Sequence, residues 1–419
     1  MLLAYGNSRV ELKLPPGVRY DVLSSSPVEP LADPIREIRR ALAEPIGADP
    51  LKSILKPGET ICIIVNDTTR ISRSDIFLPP LLETIMDAGI RREDVSILFA
   101  NGSHRLLEVD EMADLVGDRV AADIALYNHD CDDEDNLVYL GNTSRGTPLY
   151  INRLAVEADW RILTGSVLHH YFAGFGGGRK ALVPGVAGRA TIEKNHSLLL
   201  EDNAETGRLD GNPLHEDLLE GANKLENNFL INTVLNEDKE LLGVFAGDMV
   251  EAHLEACELV KKANGVTLER LADVVIASCG GHPKDINLYQ AHKSLDNGIS
   301  ALKQGGRMVL LARCPEGIGS EKFEQWIDKC AEPEKLEASL RQNFVLGGHK
   351  AFTVSRLLRN KEVYLISDLD PEKVRTIGFI PVKSLEEAVA KLYRDKSDLN
   401  TCIMPQASTT VPEYRGTAN

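Results

Sequence analysis

TICIIVNDTTRISRSDIFLPPLLETIMDAGIRREDVSILFANGSH, residues 60–104, holds two apolar runs that each end in polar residues. TICIIVND (60–67) and DVSILFANGSH (94–104) read as strands buried on both faces, as in a parallel sheet. FLPPLLETIMDAGI between them reads as a helix. Strand, helix, strand at this spacing is a βαβ unit. In open α/β sheets ligands sit beyond the carboxyl ends of strands. Here those ends are NDTTR and NGSHR, so Asp67, Arg70 and His104 are site candidates by position.

The same grammar extends along the chain. Upstream, Val10, Leu12 and Leu14 alternate and predict an initial strand, and DPIREIRRALAEPIG (33–47) predicts a helix capped by Asp33 with Pro34 in its first turn. Downstream, EVDEMADLVG predicts a helix, and DDEDNLVYLGNTSRGTPLYIN an acidic turn into a hairpin. WRILTGSV (160–167) is a further strand. Residues 200–222, around GNPLHED, read as a polar loop, and NNFLINTVLN and GVFAGD as strands. After the helix MVEAHLEACELVKKANG the pattern restarts with LADVVIASCGGHP (271–283). The helix NLYQAHKSLDNGISALKQGG follows, then the strands GGRMVLLARCPEG and KEVYLISDL and the α/β stretch VRTIGFIPVKSLEEAVAKLY. The last dozen residues read as frayed. The expected fold is therefore α/β with mostly parallel sheets in two domains, 1–265 and 266–419.

WRILTGSV delivers the chain into HHYFAGFGGGRKALVPGVAGRATIEKNHS (169–197), with four glycines in five positions ahead of Lys180. Each glycine costs roughly 0.5–1 kcal/mol relative to alanine in a regular element. Glycine-rich loops are more often turns than sites. The Walker pattern fails because Arg179, not glycine, precedes the lysine. A dinucleotide fingerprint fits only loosely and should open a helix, yet Pro184 and Gly185 follow at once. What remains is a lysine, a possible covalent anchor, with imidazoles on both sides in sequence: His169, His170 and His196. Two imidazoles arriving from different loops suit a reaction run alike in both directions, base and acid exchanging roles. Arg70 offers a planar fork for a carboxylate or phosphate. Gln290 and Lys293 share a helix face three residues apart. His129, His215, His253, His282, His292 and His349 read as structural.

Composition narrows the classes. The 419 residues carry 47 basic and 63 acidic side chains, a net charge of −16. That disfavours nonspecific nucleic-acid binding, which needs a basic footprint. Seven cysteines lie scattered with no CxxC pair, and read as buried free thiols in a reducing cytoplasm. Neither a secretory leader nor an apolar run of transmembrane length is expected. The reading is a cytoplasmic protein without a membrane partner.

Taken together these motifs resemble the nickel-pincer lactate racemase family. HHYFAGFGGGRKALVPG is similar to its glycine-lysine segment, NDTTR to its D-x-T-R loop and NGSHR to its G-[ST]-H-R loop. KNHS, GNPLHED, GGHPKDINLYQAHK and CPEGIG resemble later motifs in the family's order, over roughly residues 60–320. The resemblance implies a cofactor, the nickel complex of pyridinium-3,5-bisthiocarboxylic acid mononucleotide, tethered covalently to Lys180, with His196 as the metal's protein ligand. It implies His104 and His170 as paired acid/base residues. His170 is preferred to His169 because the family places this histidine ten positions before the tether. Asp67, Thr68, Thr69 and Arg70 would help hold the cofactor, Arg70 lying near the substrate carboxylate. Gln290 and Lys293 would hold substrate from the second domain, across an interdomain cleft.

The implied chemistry is racemisation or epimerisation of a small-molecule 2-hydroxy acid by reversible hydride transfer to the pyridinium ring, through a planar 2-keto acid. The cofactor does the hard step and the protein positions it. Nickel favours sulfur with nitrogen in square-planar geometry. Loading would depend on cofactor-biosynthesis proteins. Two positions depart from the family's lactate enzymes, which place proline after both loops; here stand Ile71 and Leu106. They point to a larger acid than lactate: malate-like, aromatic, branched or a sugar acid. The competing readings are an NAD-dependent 2-hydroxy-acid dehydrogenase and a noncatalytic hydroxy-acid-binding protein of the same fold.

Overall fold

The computed structural model describes residues 1–25, 27–329, 332–342, 344–345, 348–394 and 398–414. The chain forms two compact units, Val28–Lys261 and the pair Met1–Pro27 with Lys262–Asn419. Both carry mostly parallel six-stranded sheets.

In the 28–261 unit the strands are β1 (Ile61–Asn66), β2 (Val95–Ala100), β3 (Ala125–Asn128), β4 (Trp160–Ser166), β5 (Asn228–Leu235) and β6 (Leu241–Gly247). Their order across the sheet is β6-β5-β4-β1-β2-β3, with only the β5/β6 pair antiparallel. Ile61 to Val65 are all buried, which is why β1 reads as one apolar run. Each such side chain contributes roughly 1.5–3 kcal/mol. From β1 the chain moves to β2 and β3 on one side, then returns to β4 on the other. The order therefore reverses between β1 and β4, and crevices at such reversals are where open α/β sheets bind ligands.

The other unit repeats this plan. Its strands are Ile380–Pro381, Glu362–Ile366, Leu302–Leu311, Ala272–Ser278, Thr401–Met404 and Tyr20–Val22, in that order across the sheet. The first 27 residues thus group with Lys262–Asn419. Tyr20–Val22 extends the sheet beside Thr401–Met404, and Leu3 and Leu12 are buried in that unit's core.

Three local readings change, and one helix is added. The N-terminal strand is a hairpin, Leu2–Tyr5 against Ser8–Glu11. Pro213–Ala222 is a helix, not a loop: the Asn212 side chain caps it by accepting from the Leu214 and His215 N–H groups, and Pro213 fills its first position. Arg189–Ser197 is also helical. Val411–Tyr414 is no frayed end, since it pairs in parallel with Gly265–Leu268; residues 415–419 lie outside the described residues. The six described cysteines are free and buried, and Cys330 lies outside the described residues. No helix among the described residues is long and apolar enough to cross a membrane.

Candidate active site

Two neighbouring strand ends are built alike. Past β1, the Asn66 side-chain amide donates to the Arg70 carbonyl at 3.2 Å. Past β2, the Asn101 amide donates to the Arg105 carbonyl at 3.1 Å. β1 and β2 pair in parallel with Asn66 opposite Ala100, so the two loops stand side by side. Asp67 is buried at their junction. Its carboxylate accepts the Thr69 N–H at 3.1 Å and the Thr69 hydroxyl at 2.6 Å, and its other oxygen lies 2.6 Å from His104 Nδ1. Burial pushes the Asp67 carboxyl up, but the bonds from His104 and Thr69 outweigh it and hold the group below its ordinary value. His104 keeps about half its side chain exposed, at 49%. Thr68, Thr69 and Arg70 are exposed.

The third strand end at the reversal, past β4, carries the histidine pair. His169–His170 forms a short hairpin with Gly174–Phe175. Gly174 takes φ +73°, and a Cβ there would collide with the Arg208 backbone carbonyl. Successive strand residues face opposite ways, so the two imidazoles part. His170 packs edge-on to Phe172 at 4.5 Å between centroids, and its Nδ1 accepts the Ala173 N–H at 3.4 Å. His169 lies against Phe175 in a tilted pair with 4.9 Å between centroids, and neither of its ring nitrogens has a hydrogen-bond partner. Burial, then the Lys261 cation, pushes His169 down to about 4.

Phe172 joins His170 to two more side chains. Besides His170 it meets the His196 ring edge-on at 5.3 Å, and the Lys180 ammonium lies 5.8 Å from its centroid. Lys180 sits in the turn Gly178–Ala181, which Asn232 holds by accepting the Gly178 N–H at 2.8 Å. A Cβ on Gly178 (φ +58°) would press into the His253 ring. The Gly102 N–H donates to the Gly185 carbonyl at 2.9 Å, tying the His104 loop to the Lys180 segment. Burial pushes the Lys180 amine well below its ordinary value, and the Arg70 and Arg179 cations add to this. Among the described residues its Nζ has no hydrogen bond or ion pair.

His196 lies in the helix Arg189–Ser197, which is fixed by polar contacts on its other side. The Thr191 hydroxyl donates to the Pro148 carbonyl at 2.6 Å, and the Asn195 amide to the buried Asp217 carboxylate at 2.7 Å. Asp217 also accepts from the Thr143 and Thr147 hydroxyls. His196 Nδ1 is buried without a partner. Burial and the nearby Lys180 cation push the imidazole down to about 3, so it is neutral at pH 7 with a nitrogen to offer.

Sequence reading missed Arg179, whose guanidinium is buried. It donates to the Ala173 and Phe175 carbonyls at 3.0 and 3.3 Å, and its Nη1 stands 3.2 Å from His253 Nε2. This cation underpins the glycine segment from beneath. His253 Nε2 is also 2.8 Å from the Gly176 carbonyl, and His129 Nε2 3.0 Å from the Ala187 carbonyl. Gln290 and Lys293 are exposed on the helix Leu288–Ser300 of the other unit. There His292 Nδ1 lies 2.9 Å from the Tyr289 carbonyl and the buried Lys350 ammonium 2.8 Å from His292 Nε2.

Comparison with known proteins follows this geometry. Residues 5–207 match the lactate racemase N-terminal domain and residues 267–410 the lactate racemase C-terminal domain. The chain is 33% identical over 396 residues to a lactate racemase of Thermoanaerobacterium thermosaccharolyticum, covering 92% of each. It is 34% identical over 367 residues to a lactate racemase of Lactiplantibacillus plantarum, covering 85% of each. The solved lactate racemase apoprotein from T. thermosaccharolyticum superposes with a TM-score of 0.84 at 32% identity, covering 98% of this chain and 99% of that one. A Thermotoga maritima protein at 16% identity and a TM-score of 0.63 shares the fold. The chain belongs to the lactate racemase family.

Proposed function

We propose that this chain is an isomerase, a racemase or epimerase of a 2-hydroxy carboxylic acid of lactate size or larger. It would work with a nickel-pincer nucleotide tethered to Lys180 and ligated by His196. The observation that carries this reading is the convergence on Phe172 of the His170 ring, the Lys180 amine and the His196 ring. The donor set fits the group. A covalent tether formed by the lysine needs a neutral amine, and Lys180 is depressed toward one. A metal ligand needs a neutral imidazole with an unshared nitrogen, and His196 has both. Among the described residues the one group of three or more side chains with metal-ligand spacing is Asp130, Cys131 and Asp132, where Arg189 already binds Asp132. At His196 the protein offers a single imidazole, which suits a metal whose other ligands come from a cofactor.

When bound, that cofactor would supply a hydride acceptor. The chain's own residues then divide the proton work. His104 donates Nδ1–H to the ionised Asp67, which leaves Nε2 bare as a base for the substrate hydroxyl. The Ala173 N–H meets Nδ1 of neutral His170; as the imidazolium, His170 would be the acid, giving one proton to the substrate and returning to the neutral ring. One histidine thus starts as base and the other as acid, and the return direction exchanges the roles. Arg70, exposed beside them, would take the substrate carboxylate. Gln290 and Lys293, exposed on the helix Leu288–Ser300, would hold substrate.

The dehydrogenase reading loses support, because the glycine segment leads into a single turn rather than into a helix. The test is an intact mass and peptide map of protein co-expressed with the cofactor pathway and nickel, with a known lactate racemase as control. An adduct on Lys180 that Lys180→Ala abolishes is expected. A bare protein beside a loaded control would overturn the assignment.

A further inference from the structure

We infer that the substrate is a 2-hydroxy monocarboxylate whose substituent is apolar and larger than methyl, seated against Ile71 and Leu106. This rests on the racemase reading above and narrows it.

Ile71 follows Arg70 and Leu106 follows Arg105, and each arginine carbonyl is held by the asparagine at its strand end. The two aliphatic side chains therefore occupy equivalent positions on adjacent loops, next to His104 and Arg70. Both are exposed, Ile71 at 42% and Leu106 at 47%. A lone exposed aliphatic residue needs no explanation. A matched pair flanking the acid/base histidine does, because covering it would add apolar burial to substrate binding.

Charge at the same loops excludes the other classes of substituent. Three arginines stand here. The Arg105 guanidinium is engaged by both oxygens of Glu111, at 2.7 and 2.6 Å, and also donates to the Leu106 carbonyl. Arg73 is held by Asp75 and by the Lys239 carbonyl. Arg70 alone of the three makes no ion pair among the described residues. These loops thus offer one fork for one carboxylate. A second carboxylate, as in a malate-like acid, would meet Ile71, Leu106 and an Arg105 already neutralised by Glu111. The hydroxyls of a sugar acid would lose water against the same aliphatic surface, which costs free energy where no partner replaces it.

The experiment uses the loaded enzyme, its Lys180 adduct confirmed by mass, and follows racemisation by chiral chromatography. The panel is lactate, 2-hydroxybutyrate, 2-hydroxy-4-methylpentanoate, 3-phenyllactate, glycerate and malate. Because a methylene in an apolar pocket is worth about tenfold or more, kcat/KM for 2-hydroxy-4-methylpentanoate should exceed that for lactate by at least about tenfold. Glycerate and malate should fall below lactate. Combining Ile71→Ser with Leu106→Ser should reduce the methylpentanoate-to-lactate ratio by about tenfold. The 2-keto acids should rank in the same order in protecting the protein against thermal unfolding. Preference for lactate, glycerate or malate, or a ratio that the double variant leaves alone, overturns the inference while the racemase reading stands. A protein with no adduct and no turnover of any acid overturns both.

Discussion

At the scale of single residues, the site depends on how Asp67 is used. Sequence pattern places it among groups that hold a cofactor, but the structure binds both its oxygens to the protein's own donors, Thr69 and His104. In the mechanism proposed above it acts through His104, fixing which nitrogen carries the proton. Asp67→Asn keeps the shape but removes the anion, so the amide can present its NH₂ to Nδ1 and move the histidine's proton to Nε2. The base would then be missing in one direction of turnover. We expect kcat to fall about 10²–10⁴-fold, the usual worth of a general base, with the Lys180 adduct still formed. A rise in KM with kcat intact would instead assign Asp67 to substrate binding. His104→Ala and His170→Ala should likewise spare adduct formation and abolish racemisation, by about the same factor. Wild-type racemisation in both variants would remove the acid/base pair from the mechanism.

At the scale of elements, the helix Arg189–Ser197 shows how His196 is aimed. It has few apolar residues, and its rotation is set by Thr191 and Asn195, one turn apart. Asp217 gathers Thr143, Thr147 and Asn195 onto one buried carboxylate. Asp217→Leu strands three buried donors, so a loss of at least about 3 kcal/mol is expected, read from urea midpoints. If the network has no such role, the variant will unfold at the wild-type midpoint. The same helix explains where sequence reading stops. β1, β2 and β4 were legible because burial on both faces needs unbroken apolar runs, and their polar exits marked the candidate site. A helix held by two polar side chains leaves no periodic stripe to read. The Asn212–Pro213 cap was written in the sequence but was outweighed by the polar residues around it. The buried Arg179 carried no signal either, since an arginine after three glycines looks like a surface residue until its carbonyl partners are seen.

At the scale of the molecule, buried imidazoles make the fold sensitive to acid. In the 28–261 unit, burial pushes His169 from 6.5 to about 4 and His215 from 6.5 to about 3, and drives His253 down as well. Each folded-state value lies below the unfolded one, so the unfolded chain binds more protons below pH 6.5. Stability from these groups is therefore complete above pH 6.5 and is lost as pH falls toward the folded values. Each contributes a slope approaching about 1.4 kcal/mol per pH unit, so His169 and His215 together approach roughly 2.7 kcal/mol per unit near pH 5, between their unfolded and folded values. Asp67, held below its ordinary value, adds a loss of the same sign at lower pH. The chain carries two tryptophans, and Trp160 and Trp326 lie in different units. Trp326→Phe therefore leaves a fluorescence signal from the 28–261 unit alone. Its urea midpoint should fall steeply from pH 6.5 to 5, and His215→Gln should make that fall shallower by about half of the two-histidine slope. A midpoint that is flat over this range would mean these imidazoles reach water before the unit unfolds, and the burial that keeps them neutral would not hold in solution.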